Sequence, residues 1–175
     1  MSQRKQTASL FVNTFQLQVT SVPQHLRLNY GRYLQHLFEL YNIVSADAYS
    51  IIRDNTALFE EQLKRRGYRT HFCQFPTIAL REDLERTIGN VDVIVLAATD
   101  RSLAPLLEQC KDKAQIVFYC GQVPDELAGF GTYLPLPEGC FREHSPTEPF
   151  YLPPSGNEPT PVLTNSSGKA DEIPF

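Results

Sequence analysis

The chain has 175 residues, 42% of them hydrophobic and 21% charged, with a formal net charge of −4. That is ample for one globular domain with a real core, and it excludes a domain that holds nucleic acid by bulk positive charge. Of the 20 acids and 16 bases, five acids (Glu143, Glu148, Glu158, Asp171, Glu172) and one base (Lys169) fall in residues 143–175, so the body is balanced and the last stretch is acidic.

In chain order, residues 1–7 are polar and predict a frayed N-terminus. Ala8 to Val12 reads as a short buried strand ending at Asn13-Thr14. Phe15 to Pro23 shows no clean period and predicts a loop with an irregular turn. Tyr33, Leu34, Leu37, Phe38 and Tyr41 share one face at helical spacing, so the pattern predicts a helix over 30–41 with Asn29 as its cap. Val44 to Ile52 is strand-like. Ala57 to Arg66 predicts a second helix, capped by Asn55 or Thr56 and stopped by Gly67. Tyr68 to Phe75 is strand-like up to Pro76, and Leu80 to Ile88 predicts a short helix with Leu84 and Ile88 turned inward.

Val91 to Leu107 holds the most informative pattern: an apolar strand through Ala98, a polar turn Thr99-Asp100-Arg101-Ser102, then a helix. Pro105 belongs in the first turns of that helix, which places its start no earlier than about Ser102, with Thr99 or Asp100 near the cap. Ala114 to Gly121 is another apolar strand. Pro124 to Ala128 fits one helical turn, and Thr132 to Leu136 fits an edge strand, because Pro135 and Pro137 are poorly suited to a central one. Nine of the thirteen prolines lie from Pro135 onward, and residues 143–175 predict a disordered, Pro-rich acidic tail. Its FYLPP and IPF segments are candidates for docking.

The alternation of strands and helices predicts an α/β fold: a three-layer, Rossmann-like parallel sheet of about five strands with helices on both faces, spanning residues 8–142. No apolar run approaches the ~20 residues of a membrane-spanning helix, and the start MSQRKQTAS lacks the apolar core of a secretory leader. Cys73, Cys110, Cys120 and Cys140 include no CxxC pair, and Cys73 and Cys120 fall in or beside strands as buried thiols. These features together predict a reduced, cytoplasmic protein with no membrane partner.

In such a sheet, ligands bind at the carboxyl ends of the strands where the strand order reverses. The first strand and the strand at 91–98 are expected to flank that point, which makes Asn13, Thr14, Thr99, Asp100, Arg101 and Ser102 the candidate crevice. Asp100 also suits a plain helix cap. Glycine signatures for dinucleotides or nucleoside triphosphates are missing, as is a nucleophile elbow. His25, His36, His71 and His144 are dispersed, and read as surface or satisfied histidines. Lys64, Arg65, Arg66 and Arg69 form the one basic cluster. With Tyr68 and Phe72 interleaved, it could contact an RNA backbone and stack a base, or be the solvated end of a helix.

Phe11-Val12-Asn13-Thr14-Phe15-Gln16-Leu17 resembles the F-[IV]-D-G-x-N-L pattern of the NYN family of PIN-like ribonucleases, which includes LabA-like bacterial proteins. Val95 to Leu106 resembles that family's V-L-V-S-G-D-S-D-F-x-P-L, proline included, and KRRGYRTHF resembles its α-x-x-G-[FY]-x-V strand entry. The resemblance covers roughly residues 8–135 and implies a PIN-like fold with a carboxylate cluster holding Mg or Mn to activate water on RNA. Asp100 matches a family acid, but Asn13 and Ser102 stand where the pattern has aspartates, and Thr14 and Thr99 where it has glycines.

The expectation is therefore a degenerate, non-catalytic domain with no cofactor, acting by RNA or protein binding in a regulatory role. Arg101 is the best-placed phosphate partner. One alternative is a metal-dependent endoribonuclease in which Asp100 is catalytic and metal-binding, its site rebuilt with Asp92, Asp47 and Asp83. Another is a protein-interaction or self-association module.

Overall fold

The computed structural model describes residues 4–144; the expected tail, with its FYLPP and IPF segments, lies outside them apart from Glu143 and His144. The sheet strands are β1 (Thr7–Asn13), β3 (Asn42–Ile51), β4 (Arg69–Cys73), β5 (Val93–Ala97), β6 (Gln115–Phe118) and β7 (Thr132–Tyr133). β2 (Leu26–Leu28) and β8 (Phe141–Glu143) form a separate antiparallel pair. The helices are α1 (Thr14–Ser21), α2 (Tyr30–Leu40), α3 (Ala57–Arg65), α4 (Pro76–Thr87), α5 (Ala104–Cys110) and α6 (Asp125–Ala128), with a 3-10 turn at Arg101–Leu103.

The main sheet is wholly parallel, in the order β4-β3-β1-β5-β6-β7. The chain builds outward from β1 through β3 to β4, then returns to β5 and builds the other way through β6 to β7. The order therefore reverses between β1 and β5, the doubly wound Rossmann-like arrangement. β1 and β5 can occupy the centre because almost every side chain on them is apolar or small: Val93 to Ala97 are all fully buried, as are Leu10 and Val12. Strands covered on both faces read as unbroken apolar runs.

Neighbouring residues of β4 reveal the layers. Phe72 meets Phe59 of α3, with ring centroids 5.8 Å apart, while His71 faces Asp83 of α4. Successive strand side chains point to opposite faces, so α3 and α4 cover opposite sides. α2 joins the α3 side through Tyr30, whose ring lies 5.6 Å from Phe59 and 5.9 Å from Tyr68. Asn29 caps α2 by accepting from Arg32 N at 3.1 Å, and Gly67 ends α3 with a left-handed φ of 99° that a side chain resists.

Three expectations need correction. The stretch 15–23 is not a loop: α1 begins at Thr14. Its burial is spread over polar and apolar positions (Thr14, Leu17, Gln18), so no apolar stripe announces it. α4 begins at Pro76, four residues before the apolar periodicity starts, because proline is well suited to the first helical turn. The domain also runs past residue 142, since β8 includes Glu143 and pairs back to Leu26. The sheet has six strands, the sixth being the short, proline-terminated β7 edge.

Candidate functional site

The reversal of strand order brings Asn13 and Thr14, at the end of β1, beside Thr99 and Asp100, beyond the end of β5. The expected crevice residues thus meet at one place, but the Asn13 and Asp100 side chains are already engaged by backbone. Asn13 is 3% exposed, and its Oδ1 accepts from Gln16 N at 3.1 Å, capping α1. Asp100 Oδ1 accepts from Ser102 N at 2.8 Å, capping the 3-10 turn. Thr14 is fully buried; among the described residues its Oγ1 finds no hydrogen-bond partner. Arg101 and Ser102 are exposed, and Arg101 Nη1 lies 3.4 Å from Glu126 Oε1.

α1 runs from β1 across the carboxyl ends of β5 and β6. Gln16 Oε1 accepts from Thr99 N at 2.8 Å, and Ser21 Oγ accepts from Gly121 N at 2.6 Å. The fit at the far end is tight: a Cβ on Gly121 would sit 2.7 Å from Ser21 Cα. The helix therefore stands where a ligand of a doubly wound sheet usually lies. What stays open is a cavity of about 370 Å³ on its β6 side, lined by Thr20, Thr99, Arg101, Gln122, Val123 and Pro124.

A divalent metal, implied by the NYN resemblance, does not fit these residues. Asp100 is one carboxylate with an oxygen already accepting from backbone, and Asn13 and Ser102 supply only an amide and a hydroxyl. The acids that could rebuild the site lie elsewhere. Asp92 is at the amino edge, accepting from Thr7 N and Thr7 Oγ1 at 2.8 and 2.9 Å. Those two hydrogen bonds, the backbone one foremost, hold its carboxyl below the usual range. Asp47 lies on the sheet face under α4, and Asp83 on α4 itself. Among the described residues, no group of three or more His, Cys, Asp or Glu side chains is placed to hold a metal ion.

The basic cluster is largely neutralised. Lys64 pairs with Glu60 at 3.1 Å, Arg65 with Glu61, and Arg69 grips Asp47 through Nε and Nη2 at 2.9 and 2.8 Å. Arg66 Nη1 donates to Gln62 O at 3.3 Å. Tyr68 is 3% exposed with its hydroxyl on Tyr30 O, and Phe72 packs on Phe59. Tyr68 is thus not presented for base stacking, Lys64 to Arg66 form the paired end of α3, and Arg69 is tied to Asp47 from β4.

The reading of isolated residues missed a network centred on Asp47, which is 1% exposed in the middle of β3. Its Oδ1 lies 2.8 Å from His71 Nε2, and His71 Nδ1 lies 3.7 Å from Asp83 Oδ2. Tyr49 stacks on the His71 ring with centroids 4.6 Å apart and donates its hydroxyl to Asp83 Oδ2 at 2.7 Å. Arg86 also pairs with Asp83. Burial raises the Asp83 carboxyl, but hydrogen bonds from Tyr49 and Arg86 outweigh it and leave a net lowering. The Tyr49 hydroxyl is pushed well up, first by burial and then by its bond to Asp83. One signal was available: an aspartate inside the strand-like run Val44 to Ile52, whose other residues are apolar or small, must be paired if buried.

The cysteines are all free, three buried and Cys73 half-buried. Burial pushes the Cys110 and Cys120 thiols up to about 11, away from the thiolate needed of a nucleophile. Among the described residues, no helix is long and apolar enough to cross a membrane.

Comparison with known proteins bears on the fold alone. No protein-family profile matches the chain, and no curated protein is similar to it. A crystal structure of a Vibrio parahaemolyticus protein of unknown function aligns with a TM-score of 0.67 at 14% identity, covering 81% of this chain and 99% of that one. An Etr1p point mutant in complex with NADP and crotonyl-CoA aligns over 76% of this chain and 36% of that one, at 15% identity. Its TM-score of 0.34 supports no comparison of the two.

Proposed function

We propose that the chain is a non-catalytic relative of the NYN type of PIN-like domain that binds single-stranded RNA at the β6 side of its carboxyl edge. One observation carries this reading. The 370 Å³ cavity beside the strand-order reversal is lined by Thr20, Thr99, Arg101 and Gln122, with no carboxylate among its lining residues. The Thr99 hydroxyl, the Gln122 amide and the Arg101 guanidinium are donors to phosphate and ribose oxygens, while the Thr20 hydroxyl already donates to Gln16 O at 2.7 Å. The acid that the family pattern assigns to metal, Asp100, caps a turn instead and leaves Arg101 beside the cavity. Binding without cleavage follows, because the donors that hold a phosphate remain while the carboxylate cluster that would activate water is dispersed.

The test is fluorescence anisotropy of a short single-stranded RNA across a salt series, with Arg101→Ala beside the wild type. The expected result is weaker binding in the variant and a salt slope lower by about 1. An affinity indifferent to salt and to Arg101 sinks the reading. In parallel, Mn²⁺ is expected to leave the melting temperature unchanged; a rise marks a bound metal and restores the ribonuclease alternative.

A second reading, a protein-interaction module, has its own support. Ile52, Leu58, Phe75 and Ile78 are all at least half exposed, and all lie beyond the carboxyl ends of β3 and β4 or in the first turns of α3 and α4. Large apolar side chains gathered at one end of a domain mark protein contact surfaces.

A further inference from the structure

The sheet face under α4 contains a cavity of about 280 Å³, lined by Phe11, Asp47, Arg69, His71, Asp83, Arg86 and Thr87. The titratable groups around it belong to β3, β4 and α4: Asp47 and Tyr49, Arg69 and His71, Asp83 and Arg86, with Glu82 of α4 acting on Arg86. The two lining carboxylates are each paired with a lining guanidinium. Asp47 accepts from Arg69 through both oxygens, so it accepts from His71 as well, and the shared hydrogen belongs to Nε2. A buried carboxylate thus fixes the imidazole, in the manner that orients a working histidine.

The other ring nitrogen, Nδ1, makes no hydrogen bond among the described residues, with Asp83 at ion-pair distance. Its nearest carboxylate oxygen, Asp83 Oδ2, is 3.7 Å away, beyond hydrogen-bond reach, and that oxygen already accepts from Tyr49. The ring is about a third exposed, so it is reachable from outside. At the rim, Arg69 and Arg86 are 69% and 70% exposed and use only part of their donor forks on Asp47 and Asp83. An acceptor nitrogen held in place and flanked by guanidinium N–H groups is complementary to an anion that carries both an O–H and free oxygens.

We propose that this cavity binds hydrogen phosphate, with Arg69 and Arg86 donating to its oxygens and His71 Nδ1 accepting from its hydroxyl. Guanidiniums match such anions in geometry as well as charge. Sulfate, which has the oxygens but no hydroxyl at neutral pH, lacks the contact to His71. The site is separate from the carboxyl-edge cavity, so either assignment can fail while the other stands.

The experiment uses the full chain in a phosphate-free buffer at pH 7.5, with melting curves and calorimetric titration against inorganic phosphate and sulfate. Phosphate at millimolar excess is expected to raise the melting temperature by about 5 °C, with sulfate giving a clearly smaller rise. Arg86→Gln, at an exposed rim position, is expected to weaken phosphate binding by about tenfold and to fold normally. His71→Gln is expected to erase the preference for phosphate over sulfate while leaving some affinity for both. A comparison with O-phosphoserine at the same pH, where a monoester has lost its P–OH and keeps only the guanidinium contacts, tests the hydroxyl contact. Tighter binding of inorganic phosphate identifies the free ion, and tighter binding of the ester overturns the proposal. The proposal is overturned by the absence of a phosphate-dependent shift, by a shift that sulfate matches, or by one that Arg86→Gln leaves intact.

Discussion

Two polar regions of the molecule invite a functional reading, and they differ in what their side chains are free to do. At the carboxyl edge, Asn13, Asp100, Gln16 and Ser21 all accept from backbone N–H groups. Their polarity is consumed in ending β1 and β5 and in laying α1 across the sheet. On the face under α4, Asp47, Tyr49, His71 and Asp83 bond to one another and to two arginines. There the backbone is already satisfied by strand pairing, so the side chains are spent on side chains. A motif at a strand end is therefore weaker evidence of chemistry than its location suggests. A charged residue inside a strand is stronger evidence, because burial forces it to have partners.

The largest effect expected from breaking this contrast is on the sheet face. Asp47→Ala removes the acceptor shared by Arg69 and His71. Both partners are partly exposed and can recover water, so the cost falls below that of stranding a fully buried charge, at about 3 kcal/mol. Chemical denaturation measures it, and a loss under about 1 kcal/mol would show that the network is ornamental. At the carboxyl edge, Gly121→Ala is expected to cost about 2 kcal/mol, since its Cβ meets the Ser21 backbone and α1 must move. The matching local probe is Gln16→Ala, which leaves Thr99 N without its acceptor and is expected to cost about 1 kcal/mol. If all three cost the same, the distinction between a tight edge and a chemically linked face is lost.

The contrast also explains what could be read from the chain in advance. The buried strands declared themselves, because Leu10 to Val12, Val93 to Ala98 and Ile116 to Cys120 are continuous apolar runs that only a two-faced sheet accommodates. Asn29 and Gly67 marked helix ends through chemistry that acts within four residues. α1 stayed hidden because its burial comes from lying across three strand ends, a tertiary circumstance with no periodic trace. The site under α4 stayed hidden for a similar reason. Asp47, His71 and Asp83 are 24 and 12 residues apart, and only the parallel register of β3 with β4, plus the return of α4 over them, joins them. The turn at Thr99-Asp100 was found, but its residue types suit a cap and a metal ligand equally well.

Acid titration sharpens the same comparison. The folded-state pKa of Asp83 lies below its unfolded value, so its contribution is present above that value and fades as pH falls through the folded one. Wild-type stability should therefore drop below about pH 4. In Asp83→Asn that limb should be shallower by one proton's worth of slope. An unchanged limb would assign the acid sensitivity to other lowered carboxyls, Asp92 and Glu60.

The smallest effect decides the most about Asp100. A cap needs a short side-chain acceptor, and asparagine serves about as well as aspartate. A metal ligand needs the charge, because magnesium and manganese favour anionic oxygen. Asp100→Asn is therefore expected to change stability by no more than about 0.5 kcal/mol, while Asp100→Ala costs about 1 kcal/mol as Ser102 N loses its partner. Both variants should respond to Mn²⁺ as the wild type does. An Asp100→Asn protein that folds normally, but loses a Mn²⁺-dependent stabilisation present in the wild type, would return this aspartate from backbone cap to metal chemistry and reverse the ranking of the two regions.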